Sequence, residues 1–273
     1  MPISVGGAVA KFSILGPVVV EARDRVVEIR GALRRILLIA LLVAEGRLVP
    51  VESLIEELWA SSPPRNVENA LQAHVSRLRR SLDLLEPERP VPRLELFSTG
   101  YRLAANPDEI DTSAFLRALE EVRQNPAMAP QEAVRRLRSA LSLWRGEPFG
   151  GVSGGQLCSL AAARYQESRV TALELLFDYE LRLGRHSTIV PELSELVGAA
   201  PLNERLCEQL MVALYRSGRQ TDALALYRQM RARLNEELGV EPSPTLQAYE
   251  RAILGHHPIL AVRADHLALR MSA

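Results

Sequence analysis

The stretch VENALQAHVSRLRRSL, residues 67–82, decides how the chain is read. At about 100° per residue, Val67, Leu71, Val75, Leu78 and Leu82 fall on one narrow stripe, and such a stripe faces a core. The opposite face is then fixed as Asn66, Asn69, Ala73, Ser76, Arg77 and Arg80, flanked by Gln72 and Arg79. Amides read adenine, guanidinium groups read guanine, and small residues between them let a helix approach base edges. On an isolated helix this face reads first as solvated surface, and only its neighbours reverse that reading. His74, at the edge of the apolar stripe, reads as a packed or capped histidine.

Upstream, PVESLIEELWA predicts a helix over 50–60 with proline in its first turn, and SSPPR at 61–65 then forbids helix. A further helix, LRRILLIALLVAEG, ends at Gly46. From 12 to 29, FSILGPVVVEARDRVVEI is rich in Val and Ile and broken by Gly16-Pro17, which predicts short antiparallel strands. Downstream, LELFS and YRLAA predict a hairpin turning through Thr99-Gly100. Sheet, three helices and hairpin, with the quoted helix just before the hairpin, is the order of a winged helix-turn-helix.

Asn106-Pro107 marks a boundary, and helices are expected beyond it at 112–124, 130–145, 157–183, 187–197, 203–217, 220–238 and 243–254. LGR at 183–185 and SGR at 217–219 are offset by 34 residues, the tetratricopeptide period. With Ala223 and Tyr227 downstream, they favour an α-solenoid of about three repeats, whose usual work is to hold another protein. The expected fold is α+β, mostly α: a winged helix at 11–105, an all-α tetratricopeptide-like domain at 106–255, and a flexible tail at 256–273.

Composition narrows the function. The 273 residues are 47% hydrophobic and 24% charged, which excludes disordered, collagenous and fibrous classes. The longest apolar run, 36–44, is too short to span a bilayer, and no secretory leader is evident, so a cytoplasmic location at the nucleoid is expected. The 33 cationic and 33 acidic residues balance, leaving DNA binding to a local patch, and 32 of the cations are arginines, Lys11 being the exception. Cys158 and Cys207 read as core thiols, and Trp59, Trp144 and Phe149 as core aromatics. The GVSGGQ stretch lacks the Lys-Ser/Thr of a phosphate loop, and His256, His257 and His266 have no cysteine or carboxylate at ligand spacing. No catalytic residue, cofactor or metal is expected, and the chain does not read as an enzyme.

The residues from Phe12 to Leu103 resemble DNA-binding domains of the OmpR/PhoB type. More closely, ESLIEELW, SPPRNVENALQAHVSRLRRSL and STGYRL resemble the signature of the Streptomyces antibiotic regulatory protein family. WRGEPF and ALYRSGRQTDALALYRQMRARLNEELGVEPSPTLQAYERAIL resemble that family's bacterial transcriptional activation domain. The resemblance covers about residues 11–255. It implies an activator of antibiotic-biosynthesis genes that binds tandem direct repeats of double-stranded DNA near promoters and recruits RNA polymerase holoenzyme through its sigma factor. The free protein would be mostly monomeric and pair head to tail on DNA. Carried over by position, Asn69, Gln72, Ser76, Arg77 and Arg80 would read the groove, and Arg93, Thr99, Tyr101 and Arg102 would serve the wing. Tyr101 has a second reading, as a ring pinning the hairpin to its core. The Ser61, Ser62, Pro63, Pro64 and Arg65 loop would face polymerase, or else simply connect two helices. No receiver segment precedes the sheet, so control by the amount of protein made is expected. The competing function is a protein-interaction scaffold in which the helical half works and the winged helix binds protein.

Overall fold

The computed structural model describes residues 10–22 and 25–260; Arg23, Asp24 and residues 261–273, which hold His266 and most of the expected tail, lie outside them. Three short strands, β1 (Lys11–Ser13), β2 (Val19–Ala22) and β3 (Arg25–Val27), form an antiparallel sheet in which Phe12 faces Val20 and Val20 faces Val27. Helix α1 (Ala32–Val43) comes next and is buried on every side from Ile36 to Val43. The two-residue strand β4 (Val49–Pro50) leads directly into α2 (Val51–Trp59). Helix α3 (Val67–Asp83) precedes the hairpin of β5 (Leu94–Phe97) and β6 (Gly100–Leu103).

Two details of the hairpin depart from the sequence reading. It is three-stranded, in the order β4-β6-β5, because Val49 and Pro50 pair with Tyr101 and Gly100. Two residues are too few to show strand alternation, so β4 leaves no pattern to read. Gly100 lies within β6, not in the turn, where a Cβ would come within 2.1 Å of the Val49 carbonyl oxygen. Glycine is there for close backbone approach.

The remaining described helices are α4 (Asp111–Gln124), α5 (Pro130–Leu141), α6 (Gln156–Arg182), α7 (His186–Ala199), α8 (Glu204–Arg216), α9 (Gln220–Leu238) and α10 (Pro244–Leu254). Helix α5 stops about a turn earlier than its pattern predicts. The chain tightens through Trp144, whose backbone N–H donates to the Leu141 carbonyl, and Arg145 then donates its backbone N–H to the Leu15 carbonyl at 2.7 Å. A tertiary acceptor ends a helix that the local sequence would continue. Among the described residues, no helix is long and apolar enough to cross a membrane.

Packing divides the chain into two compact units, one taking in the chain up to Gln124 with Ser139–Val170, the other Asn125–Arg138 and the chain from Thr171 on. Within the first, hydrogen bonds tie the winged helix to α4. The Asp111 carboxylate at the start of α4 accepts from the backbone N–H groups of Ile14 at 2.9 Å and Leu15 at 3.0 Å, and Phe115 meets Trp144 edge-on. Phe149 is buried against Tyr165, whereas Trp59 and Trp144 are only half-buried.

In the second unit, α7 packs on α8, α8 on α9, and α10 on both α8 and α9. The repeated LGR and SGR strings are structurally equivalent turns: the Arg185 backbone N–H donates to the Glu180 carbonyl at 3.1 Å, and the Arg219 backbone N–H donates to the Leu214 carbonyl at 2.9 Å. Both are six-residue closures of the Schellman kind. Cys158 and Cys207 are free and buried; burial, then the charges of Glu208 and Glu204, pushes the Cys207 thiol up to about 12.

Candidate nucleic-acid interface

Helix α3 starts where it does because the Asn66 side chain accepts the Asn69 backbone N–H at 3.3 Å, satisfying one of the free amides of the first turn. Asn66 is therefore a cap. Leu71, Val75, Leu78 and Leu82 are buried, with Leu78 fully so, and Asn69, Gln72, Ser76, Arg77 and Arg80 are exposed. Among the described residues, neither Arg77 nor Arg80 enters an ion pair, so both guanidinium groups keep their donors for a ligand. His74 packs against Trp59 with ring centroids 6.0 Å apart. Burial, then the charges of Arg77 and Arg34, lowers its pKa, so the ring adds no charge here at neutral pH.

Helix and wing are held at a set spacing by Arg79, which the sequence reading placed only on the flank. Its Nε and Nη2 donate to the Leu94 carbonyl at 3.1 and 2.9 Å. This leaves an open groove of about 690 Å³ between them, lined by Gln72, Ser76 and Arg79 on the helix side and by Phe97, Ser98 and Thr99 on the wing side. Gln72, Ser76 and Thr99 are thus brought to one place from two elements.

Two of the wing candidates are buried. Arg93 is 2% exposed and is a core ion. Its Nη1 donates to Glu109 at 2.7 Å and to the Ala104 carbonyl at 2.8 Å, its Nη2 donates to Glu86 at 2.8 Å and its Nε also donates to Glu86; the guanidinium lies over the Phe12 ring. A guanidinium with its donors spent on two carboxylates and a carbonyl cannot also meet a phosphate, so Arg93 leaves the DNA-contact set. Tyr101 is 5% exposed with its backbone paired to Val49, as its reading as a ring pinning the hairpin expects, and it also lines the groove.

Arg102 stands between these cases. Its side chain is 43% exposed, but Nη2 donates to Glu95, directly opposite across β5 and β6, at 2.5 Å. Its guanidinium also stacks on Phe97, 4.8 Å from the ring centroid. Phe97 and Leu96 are exposed apolar residues of the wing, and nothing in the alternation of this short strand signals that β5 has an open face. All five residues of the Ser61, Ser62, Pro63, Pro64 and Arg65 loop are exposed.

Comparison with known proteins agrees with this arrangement. Residues 30–103 match the family model described as "Transcriptional regulatory protein, C terminal", and residues 110–254 match that described as "Bacterial transcriptional activator domain". The chain is 40% identical to the transcriptional regulator RedD of Streptomyces coelicolor over 94% of this chain and 73% of that one. It is 36% identical to the regulatory protein DnrI of Streptomyces peucetius, over 91% and 93% respectively. The solved structure of Mycobacterium tuberculosis EmbR, in complex with a low-affinity phosphopeptide, superposes with a TM-score of 0.87 at 29% identity, covering 97% of this chain and 69% of that one. With a winged helix whose recognition face is open, followed in the chain by an activator domain, the chain belongs to the Streptomyces antibiotic regulatory protein family of DNA-binding transcriptional regulators.

Proposed function

We propose that this protein is a pathway-specific activator of antibiotic-biosynthesis genes, binding tandem direct repeats near promoters and recruiting RNA polymerase holoenzyme through its sigma factor. The observation that carries the reading is α3: its apolar face is buried while Asn69, Gln72, Ser76, Arg77 and Arg80 stand open beside the wing. In this reading those five residues meet base edges, Thr99 and Arg102 meet the backbone, and the Ser61–Arg65 loop meets polymerase. Residues 11–105 bind DNA and 106–255 support activation, a division that the family-model matches favour. Transcriptional activation asks for no catalytic group, metal or cofactor, and it places the protein in the cytoplasm at the nucleoid.

Direct repeats require a head-to-tail arrangement, since a two-fold dimer imposes an inverted repeat. The free protein is then mostly monomeric, and the first bound copy raises the effective concentration of the second. Footprinting on the promoter nearest the encoding locus tests this directly. Two protected repeats about one or two helical turns apart are expected, and an insertion of about five base pairs between them should abolish cooperative binding by rotating one copy half a turn. A two-fold dimer on a palindrome, or indifference to the insertion, overturns the model. Affinity should fall with salt at a log–log slope near −5 for about six neutralised phosphates; a flat response would favour the protein scaffold.

A further inference from the structure

The glycine-rich GVSGG stretch, residues 151–155, plays no part in the recognition surface. It brings the first turn of α6 against the last turn of α2, where Glu57 is buried at 5% exposure. The Glu57 carboxylate accepts the backbone N–H of Leu157 at 2.5 Å and of Cys158 at 3.2 Å, and its own carbonyl accepts the Gly155 N–H at 3.1 Å. First-turn amides have no acceptor within their own helix, and a carboxylate there also meets the positive end of the helix dipole. The fit needs glycine. A Cβ on Gly155 would lie 2.9 Å from the Glu57 Cα, and one on Gly154 would lie 2.8 Å from the Cβ and Sγ of Cys158. Cys158 backs the joint as an apolar wall: burial, then the adjacent Glu57 carboxylate, raises its thiol far above the ordinary range and keeps it protonated.

Two residues beyond Glu57, α2 ends at Trp59 and Ala60 takes a positive φ of 46°. The exposed Ser61–Arg65 loop begins there and runs to the Asn66 cap. Its take-off point is therefore set by bonds to Gly155, Leu157 and Cys158, which lie within the segment matched by the activator-domain model. We propose that Glu57 is a positioning residue for this loop: clamped on the first turn of α6, it fixes where the loop stands and couples the activator domain to polymerase engagement without touching DNA. The proposal rests on the reading of the loop as polymerase-facing.

The test uses the full chain, with DNA affinity and activated transcription by purified holoenzyme measured side by side on the footprinted promoter. Glu57→Gln keeps the size of the side chain and loses the charge; Gly155→Ala opens the same joint from the other side. Each should leave DNA affinity within about twofold and lower activated transcript by about tenfold, which for Glu57→Gln is the change that a lost hydrogen bond to a charged group produces. A nitroxide on Ser62→Cys, with both native cysteines buried, should become more mobile when Glu57→Gln is added. The proposal is overturned if affinity and transcript fall in parallel, as a purely structural role requires, or if the label and the transcript stay as in the parent. Arg65→Ala and Pro63→Ala separate the underlying reading: intact activation in both shows that the loop does not engage polymerase, and the positioning role falls with it. Reduced activation in both, with Glu57→Gln at full activity, overturns the positioning role alone.

Discussion

The recognition helix and the wing hold their arginines in opposite ways. On α3, Arg77 and Arg80 are exposed and enter no ion pair among the described residues, whereas Arg93 before the wing is locked between Glu86 and Glu109 and Arg102 within it is tethered to Glu95. Residue type is the same throughout. What differs is the cost of freeing the guanidinium, because a buried pair gives up well-made bonds and leaves unpaired charge behind, while an exposed pair is screened by water. Cation content alone therefore misidentifies which arginines can meet a phosphate.

The largest effect that would break this contrast is at Arg93. Arg93→Ala strands the buried Glu109 and the part-buried Glu86 carboxylates and should destabilise the winged helix by about 3 to 5 kcal/mol in denaturant unfolding, comparable to the roughly 2 to 5 expected for the cavity left by Leu78→Ala. DNA affinity per folded molecule should stay unchanged in Arg93→Ala. Unchanged unfolding with weakened binding would return Arg93 to the wing contacts. The triad also gives an acid signature. Burial works against the Glu86 charge, yet the bonds from Arg93 and from the Ala10 N–H hold its carboxyl below the ordinary carboxylate value. Because the folded pKa is the lower one, this contribution is present above the unfolded value and is lost as pH falls through the folded value. Stability of the parent should therefore fall more steeply with acid than that of Arg93→Met, measured as unfolding free energy between about pH 3 and 6.

These residues also show how far the sequence could be read. The two faces of α3 were legible because 17 residues at helical period carry a strong pattern, and several helices beyond the winged helix were bracketed by glycine stops such as Gly184, Gly218, Gly239 and Gly255. The Arg93 triad was not legible. Its partners lie 7 and 16 residues away across a proline-rich loop and a hairpin, a separation with no periodic signature, so Arg93 looked like any cation at the base of a wing. Glu57 was hidden differently: it belongs to an ordinary amphipathic pattern on α2, and its partner amides lie about 100 residues on, in a stretch whose glycines suggested only a loop. Sequence pattern reports which face a helix buries; it is silent on which distant backbone amide that face will meet.

An intermediate effect sharpens the other side of the contrast. Arg80→Ala and Arg77→Ala remove exposed donors from a helix whose fold does not need them. Unfolding should shift by less than about 0.5 kcal/mol, while at least one of the two should lose about 1 to 3 kcal/mol of specific DNA affinity and relax the preference at one base pair. Competition binding against a randomised duplex measures both quantities. Equal losses on specific and random DNA would make both residues phosphate clamps and leave base reading to Asn69, Gln72 and Ser76.

The smallest effect lies between the two extremes, at the Arg102–Glu95 pair. Cross-strand and partly exposed, this pair should contribute no more than about 1 kcal/mol to stability, so releasing it is cheap. If Arg102 meets a phosphate as proposed, Glu95 competes with it for the same guanidinium and adds a negative charge at the surface of approach. Glu95→Gln should therefore raise affinity for any duplex by roughly two- to fivefold and steepen the salt slope by about one counterion, since Arg102 then counts in full as a phosphate contact. Arg102→Ala should weaken binding and flatten the slope by a similar amount. The double variant decides the mechanism. If Glu95 acts by holding Arg102, Glu95→Gln has no effect once Arg102 is alanine; if it acts only as a repelling charge, the same gain appears in both backgrounds, and the wing arginine belongs with Arg93 as a structural ion after all.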